Sequence, residues 1–432
     1  MQDEFEQARA HFHEGVAHFE AQRLDEAERS FVASLQRLPG RASTRINLAA
    51  TRLLLGRAAE ALAELEAVLD AEPQHADAWC HRAAALAELG RDAESLDCAE
   101  RALGLDPDSG SAAFRQGHAL ERLRRFDAAQ AAFARAVALQ PQDAAAWHRL
   151  GLLQYRQGQL AEALASQDRV LALLPAHAAA WSQRGSLLQA LGREAEAATA
   201  FERAVEQGGD PELHRFFLAG LGREPGPASA PRGYVQALFD DYADSFDQHL
   251  VEVLGYEAHR RLVAPLAGLQ AQAFDSALDL GCGTGLCGPL LRPIVRRLEG
   301  LDLSQPMLDR AAERGVYDRL VCADLVQHLQ QTAARHDLVA AADVFIYVGD
   351  LEPVFAGVVR VLQPGGVFCF TVEPAGDHDT VALHAQLRYA HSLPYLQGLA
   401  QRHGLRLLRA DTQPLRQQRA QVTPGLYVYL GR

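Results

Sequence analysis

Five prolines set the frame of the first half of this chain. Pro39, Pro73, Pro107, Pro141 and Pro175 follow one another at 34-residue intervals. Proline breaks a helix interior, so a strict proline period marks breaks between short helices. A period in the range of 20–50 residues is the mark of a solenoid built from one repeated unit. Other features keep the same phase. Ala27, Ala61, Ser95, Ala129, Ala163 and Ala197 put a small residue at one point of each second helix. Gly15, Gly117, Gly151 and Gly185 do so in four of the first helices, and Trp79, Trp147 and Trp181 each lie 28 residues ahead of a repeat boundary. Gly56-Arg57, Gly90-Arg91, Gly158-Gln159 and Gly192-Arg193 supply turns between paired helices. About six helix–turn–helix units result, covering residues 8–209. In the sixth, Gly209 stands where a proline is due, and Leu213–Leu221 is expected to cap the stack.

These repeats resemble the tetratricopeptide family. That resemblance implies a right-handed superhelix whose concave face is lined by the first helix of each repeat. The inward positions are then Arg115, His118, Glu121 and Arg122 in the fourth repeat, and His148, Arg149, Tyr155 and Arg156 in the fifth. Two readings stand side by side. The charges are solvated helix faces, or they form a groove that holds an acidic segment or a terminal carboxylate through bidentate arginines. Residues 221–233, rich in Pro and Gly, read as a semi-rigid linker. The expected division is a repeat domain over 1–220 and a second domain over 234–432.

Composition excludes several functions. All 42 Lys+Arg residues are arginine. Without lysine there is no Schiff-base chemistry and no Walker-type phosphate lysine. The net charge of −13 is spread over both halves, so neither has the basic footprint of a nucleic-acid binder. No run approaches the ~18 apolar residues of a membrane span. The polar start MQDEFEQARAHF does not read as a signal peptide. Cys80, Cys98, Cys282, Cys287, Cys322 and Cys369 form no CxxC pair, which reads as reduced thiols in the cytoplasm rather than a disulfide framework or a zinc site.

Beyond residue 233 the pattern changes. Short apolar runs at Ala277–Leu280, Leu298–Leu301, Leu320–Cys322, Leu338–Ala341 and Val367–Val372 alternate with helix-length segments, the pattern of a doubly wound α/β sheet. Runs around Leu405–Asp411 and Leu426–Leu430 have no helix between them and read as an antiparallel pair at the sheet edge. The expected fold is an α-solenoid followed by a Rossmann-like α/β domain with antiparallel edge strands.

The first of these strands runs into Asp279-Leu280-Gly281-Cys282-Gly283-Thr284-Gly285. Here the chain resembles class I S-adenosylmethionine-dependent methyltransferases over about 200 residues. The resemblance implies that the loop Gly281, Cys282, Gly283 and Gly285 turns beneath the methionine part of S-adenosylmethionine, with Asp279 toward its amino group. Asp302 with Leu303 would take the ribose, Met307 would flank the adenine, and Asp324 with Leu325 would meet the adenine amino group. His336-Asp337-Leu338-Val339 and Leu362-Gln363-Pro364-Gly365-Gly366 resemble the later motifs. Gly283-Thr284-Gly285-Leu286-Cys287-Gly288 also matches the nicotinamide-dinucleotide fingerprint, but the glycine directly after the strand is Gly281, and counting from there the register fails.

The segment Ala237–Leu250 resembles the helical lid of ubiquinone-biosynthesis and trans-aconitate methyltransferases. The whole chain resembles a bacterial group that joins such a domain to tetratricopeptide repeats. Tyr242 would then cover the cofactor; otherwise Tyr242 and Phe246 are the apolar stripe of an amphipathic helix. Methyl transfer needs alignment and, for some acceptors, a base. His391, Asp343 and Glu373 are the candidate bases, and Arg388 would orient an acceptor carboxylate. No metal is expected, although Pro374-Ala375-Gly376-Asp377-His378-Asp379 sets a histidine between acids. The expected activity is methyl transfer to a peptide, protein or carrier-linked acceptor recruited by the repeats. One alternative is a small-molecule carboxylate or hydroxyl O-methyltransferase whose repeats dimerise or dock it. Another is a cofactor-binding scaffold without turnover.

Overall fold

The computed structural model describes residues 2–253, 255–269, 273–376, 380–418 and 421–432. The chain divides into two compact units, with the division between Gly209 and Asp210.

In the first unit six helix pairs follow in order. They are Gln2–Glu20 with Leu24–Arg37, Ala42–Leu54 with Ala58–Ala71, Ala76–Glu88 with Asp92–Leu105, Gly110–Arg122 with Phe126–Leu139, Ala144–Arg156 with Leu160–Leu173, and Ala178–Ala190 with Glu194–Glu206. The periodic residues explain the pairing. Trp79, Trp147 and Trp181 each donate an indole N–H to the carbonyl of Pro73, Pro141 or Pro175, at 2.8, 3.1 and 2.9 Å, tying each first helix to the turn before it. Gly117 lies where a Cβ would come within 2.8 Å of the Phe133 ring, so its absence lets two helices close over a fully buried aromatic. Gly15 with Phe31 and Gly185 with Phe201 repeat the arrangement. The fifth repeat departs from it. There Gly151 faces Gln167, which is fully buried and spans His148, its Oε1 accepting from the Nδ1–H at 3.0 Å and its Nε2 donating to the carbonyl at 3.4 Å.

The second unit begins earlier than its composition suggests. Asp210 caps the helix Pro211–Gly220 by accepting from the N–H groups of Glu212 and Leu213. Phe216 of this helix is fully buried against Tyr234 and Tyr389. Leu213–Leu221 therefore belongs to the second unit, not to the expected cap of the solenoid. Residues 221–233 are also no spacer. The Tyr389 hydroxyl donates to the Pro227 carbonyl at 2.7 Å, the Asp350 N–H to that of Ala228 at 2.7 Å, and the Ala230 N–H to that of Tyr347 at 2.9 Å. Ser229 forms a β-bridge with Val348. Prolines hold such a segment extended, and an extended backbone can pair with a neighbour as readily as it can span a gap.

Among the described residues nine strands form the sheet: β1 (Phe274–Leu280), β2 (Val295–Asp302), β3 (Arg319–Cys322), β4 (His336–Ala341), β5 (Leu362–Pro374), β6 (Val381–Leu383), β7 (Tyr389–His391), β8 (Arg406–Gln418) and β9 (Gln421–Gly431). Their order is β3-β2-β1-β4-β5-β7-β6, with β9 antiparallel to β5 and β8 antiparallel to β9. The first five strands pair in parallel. Side chains alternate between two cores. Leu278, Leu280, Val339, Ala341, Phe368 and Phe370 feed one. Phe274, Ala277, Leu338, Ala340, Val367 and Cys369 feed the other. The five parallel strands and the antiparallel edge pair agree with the alternating apolar runs. The hairpin β6–β7 was not legible, because three-residue strands are too short to show a period.

Candidate functional site

The carboxyl ends of β1, β2 and β4 open into a cavity of about 870 Å³. At one end the chain turns sharply after β1. Gly281 adopts φ +63, and a Cβ there would meet Val344 at 2.6 Å. A Cβ on Gly283 would meet nothing within 4 Å, so bare backbone faces open space there. Asp279 is almost fully buried beneath this turn, with the Tyr317 hydroxyl donating to Oδ2 at 2.7 Å. Burial, against that hydrogen bond and helped by the charge of Asp302, pushes its carboxyl up to about 7. Asp302 ends β2 and accepts from the N–H groups of Gly283 and Ser304, at 2.8 and 2.9 Å. Burial raises its carboxyl as well. Asp324 caps the helix Leu325–Gln331 through the Gln327 N–H, at 2.9 Å.

Three carboxylates and a bare backbone loop thus converge on one end of the cavity. This donor set suits a ligand bearing an ammonium group, ribose hydroxyls and an exocyclic amine. Each carboxylate keeps acceptor capacity beyond the backbone bonds it makes. S-Adenosylmethionine has those groups, and Asp279, Asp302 and Asp324 are the residues that would hold them.

Tyr242, Asp279, Gly281, Cys282, Gly283 and Asp302 line the cavity, as do Leu303, Asp324, Leu325, Asp343 and Arg388. Gly285 turns away toward Tyr317 and Ala311. Met307 is fully buried and absent from the lining, so it does not flank an adenine there. His391 also fails as a base. It is fully buried in β7, its Nε2 lies 3.1 Å from the Gly349 carbonyl, its ring stacks on Tyr395, and it does not line the cavity. Burial pushes its imidazole down to about 4. Glu373 is off the lining too, bound instead to Arg416.

The far end of the cavity is a chain of alternating charges. Asp343 follows β4 with φ +61, its N–H donating to Thr371 Oγ1 at 2.8 Å. Arg416 donates to Asp343 Oδ2 at 2.5 Å and to Glu373 Oε1. Arg388 sits 3.8 Å from the same Glu373 oxygen. A β-bulge between Pro414 and Arg416 explains the aim of Arg416: Leu415 and Arg416 are both buried although adjacent in the strand. Gly425 opposite leaves room for Leu415, which a Cβ would meet at 2.2 Å.

Sequence reasoning missed Arg416, and also the polar ties of the lid. Asp240 accepts from Ser304 Oγ at 2.5 Å, and Asp247 accepts from Thr284 Oγ1 and from Arg314. The aspartates of the segment 240–247 were the available signal. Tyr242 contacts His249 through its hydroxyl and Phe246 through its ring.

The residues expected to line a groove in the first unit are engaged there. Arg122 pairs with Asp92 at 2.6 Å and Arg149 with Glu121 at 3.5 Å. Arg156 lies 4.1 Å over the Phe126 ring, and Arg115 5.5 Å over Phe114. His118 stacks on Phe114, and His148 bonds Gln167. Burial lowers both imidazoles. Tyr155 is exposed. In this structure these arginines make ion pairs and ring contacts within the repeats instead of standing open. Asp377, His378 and Asp379 lie outside the described residues, and among the described residues no His/Cys/Asp/Glu group could hold a metal.

Residues 278–370 match the family described as methyltransferase domain. Residues 47–110, 114–177 and 178–207 match tetratricopeptide repeats. The chain is 32% identical over 178 residues to a malonyl-[acyl-carrier protein] O-methyltransferase of Salmonella typhimurium, covering 41% of this chain and 68% of that protein. The chain belongs to the class I S-adenosylmethionine-dependent methyltransferases. A methyltransferase of the same description from Yersinia pestis is 30% identical over 160 residues, covering 37% of this chain and 57% of the relative. Among solved structures, the N-methyltransferase NodS from Bradyrhizobium japonicum in complex with S-adenosyl-l-homocysteine is 20% identical, with a TM-score of 0.34, over 40% of this chain and 85% of NodS. This methyltransferase thus joins a catalytic unit to tetratricopeptide repeats. No helix among its described residues is long and apolar enough to cross a membrane.

Proposed function

We propose that the chain methylates the free carboxylate of a short acyl group borne by a larger carrier, and that the repeats recruit the carrier. The observation that carries this reading is Arg388. It lines the cavity, its guanidinium donates no hydrogen bond among the described residues, and the carboxylate near it, Glu373, is already bound to Arg416. An arginine in that state suits a carboxylate ligand. The relatives described as malonyl-[acyl-carrier protein] O-methyltransferases support the same acceptor class.

The bound cofactor supplies an electrophilic methyl on a sulfonium. The chain's residues do the rest. Asp279 and Asp302 hold the cofactor's amino and ribose ends. Phe239, Tyr242 and Phe246, from the segment ahead of β1, line the cavity and reduce water there. Arg388 orients the acceptor carboxylate, which is itself the nucleophile and needs no base. The burial of His391 away from the cavity is consistent with that chemistry.

Incubation with S-adenosylmethionine and either malonyl-acyl carrier protein or malonyl-N-acetylcysteamine tests the reading. Release of S-adenosylhomocysteine is expected with both, with higher kcat/KM on the carrier protein. No release with either overturns the carboxylate reading. Equal kcat/KM for the full chain and for residues 210–432 on the carrier protein overturns recruitment by the repeats and favours a docking or dimerising role.

A further inference from the structure

The cavity has an unusual balance at its acceptor end. Asp343 brings a negative charge to the lining where the proposed acceptor brings another, and Glu373, off the lining, shares Arg416 with it. Arg416 is 4% exposed and stands between them, with one Nη toward each carboxylate. Tyr256 and Tyr347 lie close enough to interact with its charge, Tyr427 interacts with that of Asp343, and Arg388 lies 3.8 Å from Glu373. All three phenols are pushed up by burial, Tyr347 to about 12, and so stay neutral at ordinary pH. Among the described residues Arg416 is therefore the cation hydrogen-bonded to both Asp343 and Glu373, while Arg388 lies near Glu373 without a hydrogen bond to it.

From this geometry we infer that Arg416 is a positioning residue: it holds Asp343 and Glu373 as bound carboxylates, so that Arg388 is left to take an anionic acceptor. This deepens the carboxylate reading above and rests on it for the identity of the acceptor. Arg416 acts through Arg388 and does not itself need to touch the acceptor. The bulge at 414–416 and the left-handed backbone at Asp343 fit this role, since both bend the chain away from regular geometry to bring the two side chains together.

Without the Arg416 charge, two neighbouring carboxylates compete for ionisation, and one is driven to keep its proton to higher pH. The test uses the full chain with Arg416→Gln. Carbon-13 carboxyl titration reads the charge arm and needs no acceptor. A carboxyl titrating above pH 6 in Arg416→Gln and absent from the parent chain is expected; identical titrations overturn the inference. The acceptor arm uses malonyl-N-acetylcysteamine. KM is expected to rise at least tenfold at pH 8 and to recover toward the parent value at pH 6, with the Kd for S-adenosylhomocysteine within twofold of the parent. An unchanged KM, or a defect independent of pH, overturns it. The triple variant Asp343→Asn, Glu373→Gln, Arg416→Gln removes both signs of charge. It is expected to regain most of the lost KM, and a triple variant as impaired as the single one shows a merely structural role. If the parent chain does not turn over the malonyl probe, the acceptor reading fails, and the carboxyl titration still decides what Arg416 does.

Discussion

Arginine is used in two ways in the two units. In the solenoid, Arg57 meets Glu60, Arg91 meets Glu94, and Arg193 meets Glu196, with about half of each side chain exposed. In the methyltransferase unit, Arg416 is buried between two carboxylates. The chemistry is the same and the solvent differs. Exposed pairs exchange water for each other at little net gain, about 0–1 kcal/mol each. Removing a buried cation leaves two poorly solvated carboxylates without their partner. In this chain, then, an arginine's weight follows from its burial and not from the number of its ion pairs.

The largest expected effect separates the two uses directly. Arg416→Met should lower the stability of the catalytic unit by ~3–5 kcal/mol. Circular dichroism during urea denaturation measures it. Tryptophan fluorescence should not shift if the units unfold independently, because Trp79, Trp147 and Trp181 all lie in the solenoid. Next comes Asp302→Ala. It strands the N–H groups of Gly283 and Ser304 and removes the carboxylate expected at the ribose, at a cost of about 2–3 kcal/mol in affinity for S-adenosylhomocysteine. Calorimetry reads it, and an unchanged Kd removes Asp302 from the cofactor end.

A pH effect follows in size. Asp279 is raised to about 7 in the folded chain, above its ordinary carboxylate value of 3.8. The folded state therefore binds the proton more tightly than the unfolded one. Its contribution to stability is present below the unfolded value and is lost as pH rises toward 7. Cofactor binding runs the other way, because an ammonium needs the ionised form. Affinity for S-adenosylhomocysteine should fall by up to about tenfold per pH unit below 7 and level off above it. The Asp279→Asn variant should bind weakly with a flat pH profile. The smallest effect belongs to the solenoid: Arg122→Ala, which breaks the 2.6 Å pair with Asp92, should change stability by no more than ~1 kcal/mol. A larger loss would collapse the contrast between the units.

The two ends of the cavity were unequally legible in the sequence. Asp279, Gly281 and Gly283 lie within five residues, because one turn after one strand carries that part of the site. Asp302 and Asp324 follow the next two strands in the same way. The acceptor end is assembled from Asp343, Glu373, Arg388 and Arg416, which only the pairing of β4, β5, β7 and β8 with β9 brings together. Among 42 arginines and no lysine, nothing marked Arg416. His391 reads as a candidate base in the sequence, but strand β7 sets that ring into the interior. The solenoid was legible almost throughout because its period repeats. Its boundary was not, since the helix Pro211–Gly220 looks like one more solenoid helix and only its aromatic neighbours Tyr234 and Tyr389 assign it to the other unit.

A stack of repeats is held by nearest neighbours, so its cohesion is that of its weakest joint. Where the first, fourth and sixth repeats bury Phe31, Phe133 and Phe201, and the second and third Leu65 and Ala99, the fifth buries Gln167, an amide whose hydrogen bonds water can replace. That polar joint is expected to be the first to open. When the stack is stretched, warmed or attacked by a protease, the first opening should come between residues 144 and 173, with four repeats still closed on one side and one on the other.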